Sequence, residues 1–137
     1  MMIRYREHST WVLIADADEA SRRLLGLHLR ERGLSTIETP SGFDAMSAAR
    51  TTPLALAVVD VKLEDMAGQT LVGTLRSTYP ALPVVMTTAG EQHGMEIHAR
   101  KVGIVHYATK PVTFDTIAEI ALRAADRANP NQDSKGQ

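Results

Sequence analysis

The segment Leu54–Asp60, with the sequence LALAVVD, is the most informative stretch of this 137-residue chain. Six apolar residues run without a break into one carboxylate, Asp60. A short continuous apolar run is typical of a strand buried on both faces, as in a parallel sheet covered by helices. Open α/β sheets bind ligands at the carboxyl ends of such strands. The pattern therefore places Asp60 at a candidate functional site, although an aspartate after a strand can also simply stabilise a turn.

Five predicted strands alternate with five predicted helices along the chain. The strands cover residues 11–15, 34–39, 54–60, 82–86 and 104–108. The helices cover approximately residues 18–32, 40–50, 68–79, 91–102 and 113–127. Strict alternation favours a parallel sheet with helices on both faces, which is a doubly wound α/β fold.

The first helix has clear start and stop signals. Asp18 occupies a favourable N-cap position, and Gly33 is a typical C-terminal stop. Ala20, Leu24 and Leu27 fall at helical spacing and predict the face that packs on the sheet.

Composition restricts the class of protein. The hydrophobic fraction of 44% is sufficient for a core, and the absence of cysteine excludes disulfides and thiolate metal sites. A net charge of −1 gives no electrostatic case for direct nucleic-acid binding, and no apolar stretch approaches the roughly 20 residues that span a bilayer. We expect one cytoplasmic domain over residues 11–127, with no membrane contact, an N-terminal tail over 1–10 and a disordered tail over 128–137.

Four polar side chains follow predicted strands and should meet at one edge of the sheet. They are Asp16, Asp60, Thr88 and Lys110. Neighbouring carboxylates repel each other and favour a cation, and Mg²⁺ is the usual choice where phosphate oxygens are present. Lys110 and Thr88 could contact a phosphoryl group, and an aspartate can accept one as an acyl phosphate.

The chain resembles the receiver domain of bacterial two-component response regulators, whose fold is that of the chemotaxis regulator. The resemblance covers about residues 11–127 and predicts a flavodoxin-like sheet with strand order 2-1-3-4-5. The matching motifs are Leu13–Asp16, Val58–Asp60, Asp65–Gly68, Leu82–Ala89 and Tyr107–Pro111.

The resemblance implies a role for each site residue. Asp60 is the phosphoacceptor, and Lys110 and Thr88 contact the phosphoryl group. Thr88 is also the switch hydroxyl, and Tyr107 is the aromatic residue that changes rotamer with it. A sensor histidine kinase or a phosphotransfer protein supplies the phosphoryl group, and a downstream protein binds the face formed by residues 91–127. Such a domain is a signalling module and not an enzyme.

The predicted Mg²⁺ site departs from the family pattern. The resemblance implies Asp16, Asp60 and the backbone carbonyl of Lys62 as its ligands. The family usually has a second acid where this chain has Ala17, and Asp18 is a further candidate ligand one residue on. The ammonium group of Lys62 also opposes a divalent cation nearby. We therefore expect weak Mg²⁺ binding.

Two alternative functions remain open at this stage. The first is a pseudo-receiver that binds partners without phosphorylation, which Ala17 and Lys62 favour. The second is a haloacid-dehalogenase-like phosphatase with Asp16 as nucleophile, since Asp16-Ala17-Asp18 follows an apolar strand and Thr87 or Thr88 precedes Lys110. The acidic pair that binds Mg²⁺ in those phosphatases is missing here, because Asp115, Glu119 and Asp126 all fall within a predicted helix. Replacing Asp16 and Asp60 separately by Asn would distinguish the phosphatase from a receiver, and incubation with Mg²⁺ and acetyl phosphate would distinguish the pseudo-receiver from a receiver that is phosphorylated.

Overall fold

The computed structural model describes residues 9–90 and 103–127 and shows a five-stranded parallel sheet in this part of the chain. The strands are β1 (Trp11–Ala15), β2 (Ser35–Thr39), β3 (Leu56–Asp60), β4 (Val84–Thr88) and β5 (His106–Thr109). Their order is β2-β1-β3-β4-β5, and every neighbouring pair is parallel. The predicted doubly wound fold and its strand order are confirmed.

Helices cover both faces of the sheet. They are α1 (Glu19–Glu31), α2 (Gly42–Thr51), α3 (Gly68–Thr78) and α4 (Phe114–Arg127). Buried residues of α1 and α4 share one core layer, and those of α2 and α3 share the layer on the opposite face. The helix predicted over 91–102, the first eight residues and the tail from 128 lie outside the described residues. Within the described ranges, no helix is both long and apolar enough to cross a bilayer.

Side chains of the central strands alternate between the two core layers. In β3, Leu56 and Val58 pack on the α1/α4 side, whereas Ala57 and Val59 pack on the α2/α3 side. Every residue of β3 is buried, as a strand covered on both faces requires. Asp60 continues the Leu56 and Val58 series, so this alternation directs its side chain toward the α1/α4 side.

The prediction of which face of α1 packs on the sheet is wrong, because a neighbouring row of residues is buried instead. Leu24 and Leu27 are 54% and 50% exposed, and the buried side chains are Leu25 and Leu29. Apolar residues occupy two adjoining rows of this helix, and spacing alone does not say which row faces the sheet. The N-cap prediction is confirmed, because the Asp18 side chain accepts the amide N–H of Ser21.

The later strands begin further along the chain than predicted. β4 covers Val84–Thr88 and not 82–86, and β5 starts at His106 and not at 104. Proline has no amide hydrogen for a ladder, so Pro83 precedes β4, although its carbonyl accepts the N–H of Ala57. The shift places both Thr87 and Thr88 within β4, which matters for the site.

Candidate functional site

Three of the four predicted side chains meet at the carboxyl edge of the sheet. Lys110 Nζ lies 2.7 Å from Asp16 Oδ2 and 3.0 Å from Asp60 Oδ1. Both aspartates are buried, at 6% and 5% exposed. Their strands are neighbours in the sheet, and both side chains follow the series that packs toward α1 and α4. The Lys110–Pro111 peptide bond, just after β5, is cis.

The Asp60 carboxylate receives three donors. Thr87 Oγ1 donates to Oδ1 at 2.9 Å, and the ammonium group of Lys110 contacts the same oxygen. The amide N–H of Lys62 donates to Oδ2 at 3.0 Å. The carboxylate is therefore fixed in orientation by β4, by β5 and by the loop that follows β3.

Thr87 is the site residue that the sequence analysis missed, because it was considered only for the phosphatase alternative. It pairs directly with Asp60 in the register of β3 and β4. It also continues the alternation through Val85, which packs on the α1/α4 side like Val58. Counting in steps of two from these apolar residues would have placed Thr87 beside Asp60.

Thr88 and Tyr107 belong to the opposite side of the sheet. Thr88 follows Met86 in the alternation, and the Tyr107 ring packs partly buried against the same α2/α3 layer. The Thr88 hydroxyl exchanges hydrogen bonds with the backbone of Gly90 at 3.3 Å. The structure thus places these two residues on one side together, away from the Asp60 hydrogen bonds. Their roles as phosphoryl contact and switch stay predictions.

Asp16 is held by backbone contacts at the start of α1. Its Oδ1 accepts the amide N–H of Asp18 at 2.9 Å, and its backbone carbonyl accepts the Arg22 guanidinium at 2.8 Å. Asp18 Oδ2 accepts the N–H of Ser21. Hydrogen bonds from the side chain and the backbone of Ser21 lower the pKa of the exposed Asp18 carboxyl. Asp18 is therefore engaged as a helix cap.

Burial and ion pairing shift the pKa values of this site in opposite directions. Burial raises the pKa of Asp16 above its ordinary value, although hydrogen bonds from Lys110 and the Asp18 backbone oppose the shift. Burial also opposes the charge on Lys110, but its hydrogen bonds to Asp16 and Asp60 outweigh that effect and raise the pKa of Lys110. The two carboxylates thus depend on the lysine for compensation of their charge.

The loop after Asp60 is tightly packed against the strand. Gly68 opens α3 directly over the Asp60 carbonyl, and a Cβ at this position would clash with that oxygen. The Asp65 carboxylate accepts the N–H groups of Gly42 and Phe43, at 2.7 and 2.9 Å, and so connects the loop to the start of α2. These contacts hold the Lys62 amide where it meets Asp60.

The donors at this site fit a Mg²⁺ ion only in part. Asp16, Asp60 and the Lys62 carbonyl are the oxygen donors that would hold the ion, and Ala17 has a methyl group where an acid would add another ligand. The Lys62 carbonyl accepts a long hydrogen bond of 3.4 Å from the Ala17 amide. Among the described residues, no cluster of three or more acidic, histidine or cysteine side chains could hold a metal. The lysine already neutralises part of the charge that attracts Mg²⁺.

Two grooves open on the described surface. One, of about 170 Å³, lies beside the carboxylates and is lined in part by Asp16, Thr87, Lys110 and Phe114. The other, of about 640 Å³, lies at the amino-terminal ends of β3 and β4, around Pro53 and Tyr79. The larger groove contains none of the site's carboxylates, so the chemistry and not the size identifies the functional site.

Comparison with known proteins identifies the family. A model of the response regulator receiver domain matches residues 12–122. The transcriptional regulatory protein GlrR of Escherichia coli (strain K12) is 26% identical over 90% of this chain, which covers 28% of GlrR. The transcriptional regulatory protein KdpE of Mycobacterium tuberculosis is 33% identical over 88% of this chain and 52% of KdpE. A solved CheY-like receiver domain from Methanospirillum hungatei JF-1 matches with a TM-score of 0.80 and 22% identity, over 88% of this chain and 96% of that one.

The chain belongs to the response regulator receiver domain family. It is therefore a receiver domain of two-component signalling, a family of signalling modules that are phosphorylated on aspartate and that interact with histidine kinases or phosphotransfer proteins. The chain spans only about a quarter to a half of the two curated relatives described above.

Proposed function

We propose that Asp60 is the residue of this receiver domain that accepts the phosphoryl group. The main support is the environment of its carboxylate, which is buried at the end of β3 and oriented by Lys110, Thr87 and the Lys62 amide. Asp60 Oδ2 forms the new bond to phosphorus, and the leaving group of the donor departs with its electron pair. The ammonium group of Lys110 compensates the charge of the incoming phosphoryl group.

Asp60 fits this role better than Asp16. Among the described residues, three donors converge on Asp60, from Lys110, Thr87 and the Lys62 amide, whereas two reach Asp16. Donors around the carboxylate compensate the charge of the incoming phosphoryl group. Asp60 Oδ2 receives only the Lys62 amide in this part of the structure, so one of its lone pairs is open to phosphorus. Asp16 then acts as the second carboxylate that holds Lys110 in place.

Weak binding of Mg²⁺ forms part of the proposal. Asp60 and the Lys62 carbonyl would contact the ion directly, with Asp16 nearby. When bound, the ion would neutralise charge on the phosphoryl oxygens. Ala17 removes one carboxylate ligand, so binding should be weaker than in receivers with two adjacent acids.

A histidine kinase or phosphotransfer protein is the proposed donor, and a downstream protein is the proposed target of the 91–127 face. The proposed route from Asp60 to that face runs through Thr88 and Tyr107, which lie on the α2/α3 side of the sheet, whereas α4 of the same face packs on the Asp60 side. Residues 91–102 lie outside the described part of the chain, so the support from structure comes from β4 and β5 alone.

Incubation with acetyl phosphate and Mg²⁺ tests the proposal. We expect the intact mass of the wild-type protein to increase by one phosphoryl group, and the Asp60→Asn variant to show no increase. Asp16→Asn should still be phosphorylated, at a lower rate. Phosphorylation that persists in Asp60→Asn and disappears in Asp16→Asn would contradict the proposal and favour the phosphatase-like chemistry.

A binding module that works without phosphorylation is the second candidate function. The observation that favours it is the lysine bridge, because Lys110 already links both carboxylates within 3.0 Å in a site that lacks the second acid. No mass increase at high Mg²⁺ and high acetyl phosphate would support this function over phosphoryl transfer.

A further inference from the structure

Thr87 provides a buried hydroxyl to the carboxylate proposed as phosphoacceptor. Its Oγ1 lies 2.9 Å from Asp60 Oδ1, and the Thr87 side chain is only 3% exposed. Lys110 contacts the same oxygen, whereas Oδ2 accepts the Lys62 amide. Each carboxylate oxygen offers about two lone pairs, so with the donors of residues 9–90 and 103–127 counted, Oδ1 is saturated and Oδ2 retains a free lone pair. A phosphoryl group on Oδ2 leaves Oδ1 as a carbonyl oxygen that faces the Thr87 hydroxyl.

We propose that Thr87 limits the lifetime of the acyl phosphate by stabilising Asp60 as the leaving group, an inference that rests on the proposed function. In hydrolysis, a water oxygen attacks phosphorus and the bond between Oδ2 and phosphorus breaks. The electron pair of that bond returns to the Asp60 carboxylate. The water loses a proton to solvent, and the products are inorganic phosphate and the free carboxylate.

The hydrogen bond from Thr87 changes in strength during this step. Oδ1 is a neutral carbonyl oxygen in the acyl phosphate and part of an anion in the product. Hydrogen bonds to an ionised acceptor are about twice as strong as those between neutral groups. A donor that binds the departing carboxylate more strongly than the acyl phosphate lowers the barrier to hydrolysis. Thr87 is therefore a positioning residue that also sets how long the signal persists.

Thr88 does not have this role in the proposal. Its hydroxyl bonds to the backbone of Gly90, and its side chain follows the alternation toward the other face of the sheet. The two adjacent threonines therefore have separate tasks, since Thr87 acts on the carboxylate and Thr88 belongs to the proposed switch.

The test measures the decay of the acyl phosphate after the donor is removed. The protein is phosphorylated with acetyl phosphate and Mg²⁺, desalted, and followed by intact mass. We expect Thr87→Val, which keeps the shape and loses the donor, to lengthen the half-life about three- to tenfold, the effect of one hydrogen bond that differs between a neutral and a charged acceptor. Thr87→Ser retains the hydroxyl and should decay within about twofold of the wild type.

Thr39→Val is the matched control. Thr39 is also a buried threonine at the carboxyl end of a strand, but its hydroxyl bonds to Ser41. We expect the acyl phosphate to decay in this variant at the wild-type rate. Circular dichroism and thermal unfolding check that every variant folds. Thr87→Cys, a weak donor of similar size, replaces Thr87→Val if the valine variant does not fold.

The outcomes separate this inference from the proposed function. An acyl phosphate that decays at the wild-type rate in Thr87→Val, or as slowly in Thr87→Ser as in Thr87→Val, overturns the role of Thr87 alone. A longer half-life in Thr39→Val would also overturn it, because the effect would not depend on the hydrogen bond to Asp60. No acyl phosphate on the wild-type protein overturns the proposed function and, with it, this inference.

Discussion

Lys110 determines whether two buried carboxylates can coexist at the edge of the sheet. Its ammonium group lies within 3.0 Å of both Asp16 and Asp60, and its side chain is 16% exposed. Burial raises the pKa of Asp16, because an ionised carboxylate that is removed from water is costly without a cation nearby. The lysine thus stabilises the resting state of the site before any phosphoryl group or metal arrives.

Replacement of Lys110 by Met should destabilise the fold. We expect the free energy of unfolding to fall by about 2 kcal/mol, less than for a fully buried ion pair because solvent reaches this site. Urea unfolding measures the change. Arg23→Met is the control, since Arg23 pairs with Glu19 on the exposed surface of α1 and should contribute less than about 0.5 kcal/mol. Equal effects of the two substitutions would contradict this role of Lys110.

The contribution of Lys110 should depend on pH. The pKa of Lys110 is higher in the folded protein than its ordinary value of 10.5. At a pH below the pKa of Lys110 in the unfolded protein, the charged lysine contributes its full stabilisation. The contribution is lost as the pH rises through the higher pKa of the folded protein. The stability difference between wild type and Lys110→Met should therefore be constant near neutral pH and shrink above 10.5. A difference that persists unchanged at alkaline pH would argue against ion pairing as its source.

At the scale of single elements, the loop between β3 and α3 positions the site. Gly68 is needed because any larger residue would meet the backbone carbonyl of Asp60. Asp65 ties the same loop to α2 through two backbone hydrogen bonds. The proposed phosphoacceptor is thus linked to both α2 and α3 through this loop.

Two glycines in α3 give a matched pair of substitutions. Gly68→Ala should lower the free energy of unfolding by about 1–3 kcal/mol, because backbone must move to admit the Cβ. Gly73→Ala meets no atom within 4 Å and should stabilise the helix by up to about 1 kcal/mol. Urea unfolding of both variants measures the difference. A Gly68→Ala protein as stable as Gly73→Ala would contradict the close packing described here.

Asp65 should stabilise the fold at neutral pH, and this contribution should be lost at low pH. Hydrogen bonds from the amides of Gly42 and Phe43 lower the pKa of Asp65 below its ordinary value of 3.8. Its contribution is therefore present above that value and is lost as the pH falls through the lower folded pKa. Asp65→Ala should lower the melting temperature at neutral pH, and the difference should shrink in acid. Glu64→Ala, which removes a neighbouring exposed carboxylate, should change little at either pH.

The elements also show what the sequence could predict. The alternation of apolar runs and helices specified the fold class, and the resemblance supplied the strand order. The convergence of Asp16, Asp60 and Lys110 followed from their places at the ends of parallel strands. The buried row of α1 could not be chosen, because Leu24 and Leu25 are equally apolar. The motif indicates Thr88 and not Thr87, although the alternation along β4 places Thr87 beside Asp60.

For the molecule as a whole, the balance of acids and lysine at the site determines how strongly it attracts a divalent cation. Asp16 and Asp60 face one lysine, and Ala17 stands where the family usually has another acid. A site with three acids and one lysine attracts a divalent ion more strongly than a site with two. The domain therefore has the fold of a receiver, and under the proposed function it binds Mg²⁺ with one carboxylate fewer than receivers that have two adjacent acids.

Restoring the missing acid should strengthen metal binding. We expect Ala17→Asp to bind Mg²⁺ at least about tenfold more tightly than the wild type, as measured by calorimetric titration. Asp18→Asn should leave the affinity unchanged, because Asp18 caps α1 through Ser21. An affinity that falls in Asp18→Asn and does not rise in Ala17→Asp would show that Asp18 is the ligand instead.

The chemical identity of the phosphorylated residue tests the central claim most directly. Borohydride reduces an aspartyl phosphate to homoserine, and trypsin then separates the two candidate aspartates. Residue 60 falls in the fragment 51–62, where it is the sole acid, and residue 16 falls in the fragment 7–22. After treatment with acetyl phosphate, we predict homoserine at position 60 in fragment 51–62. Homoserine in fragment 7–22, or in neither fragment, would contradict the assignment of Asp60 as phosphoacceptor.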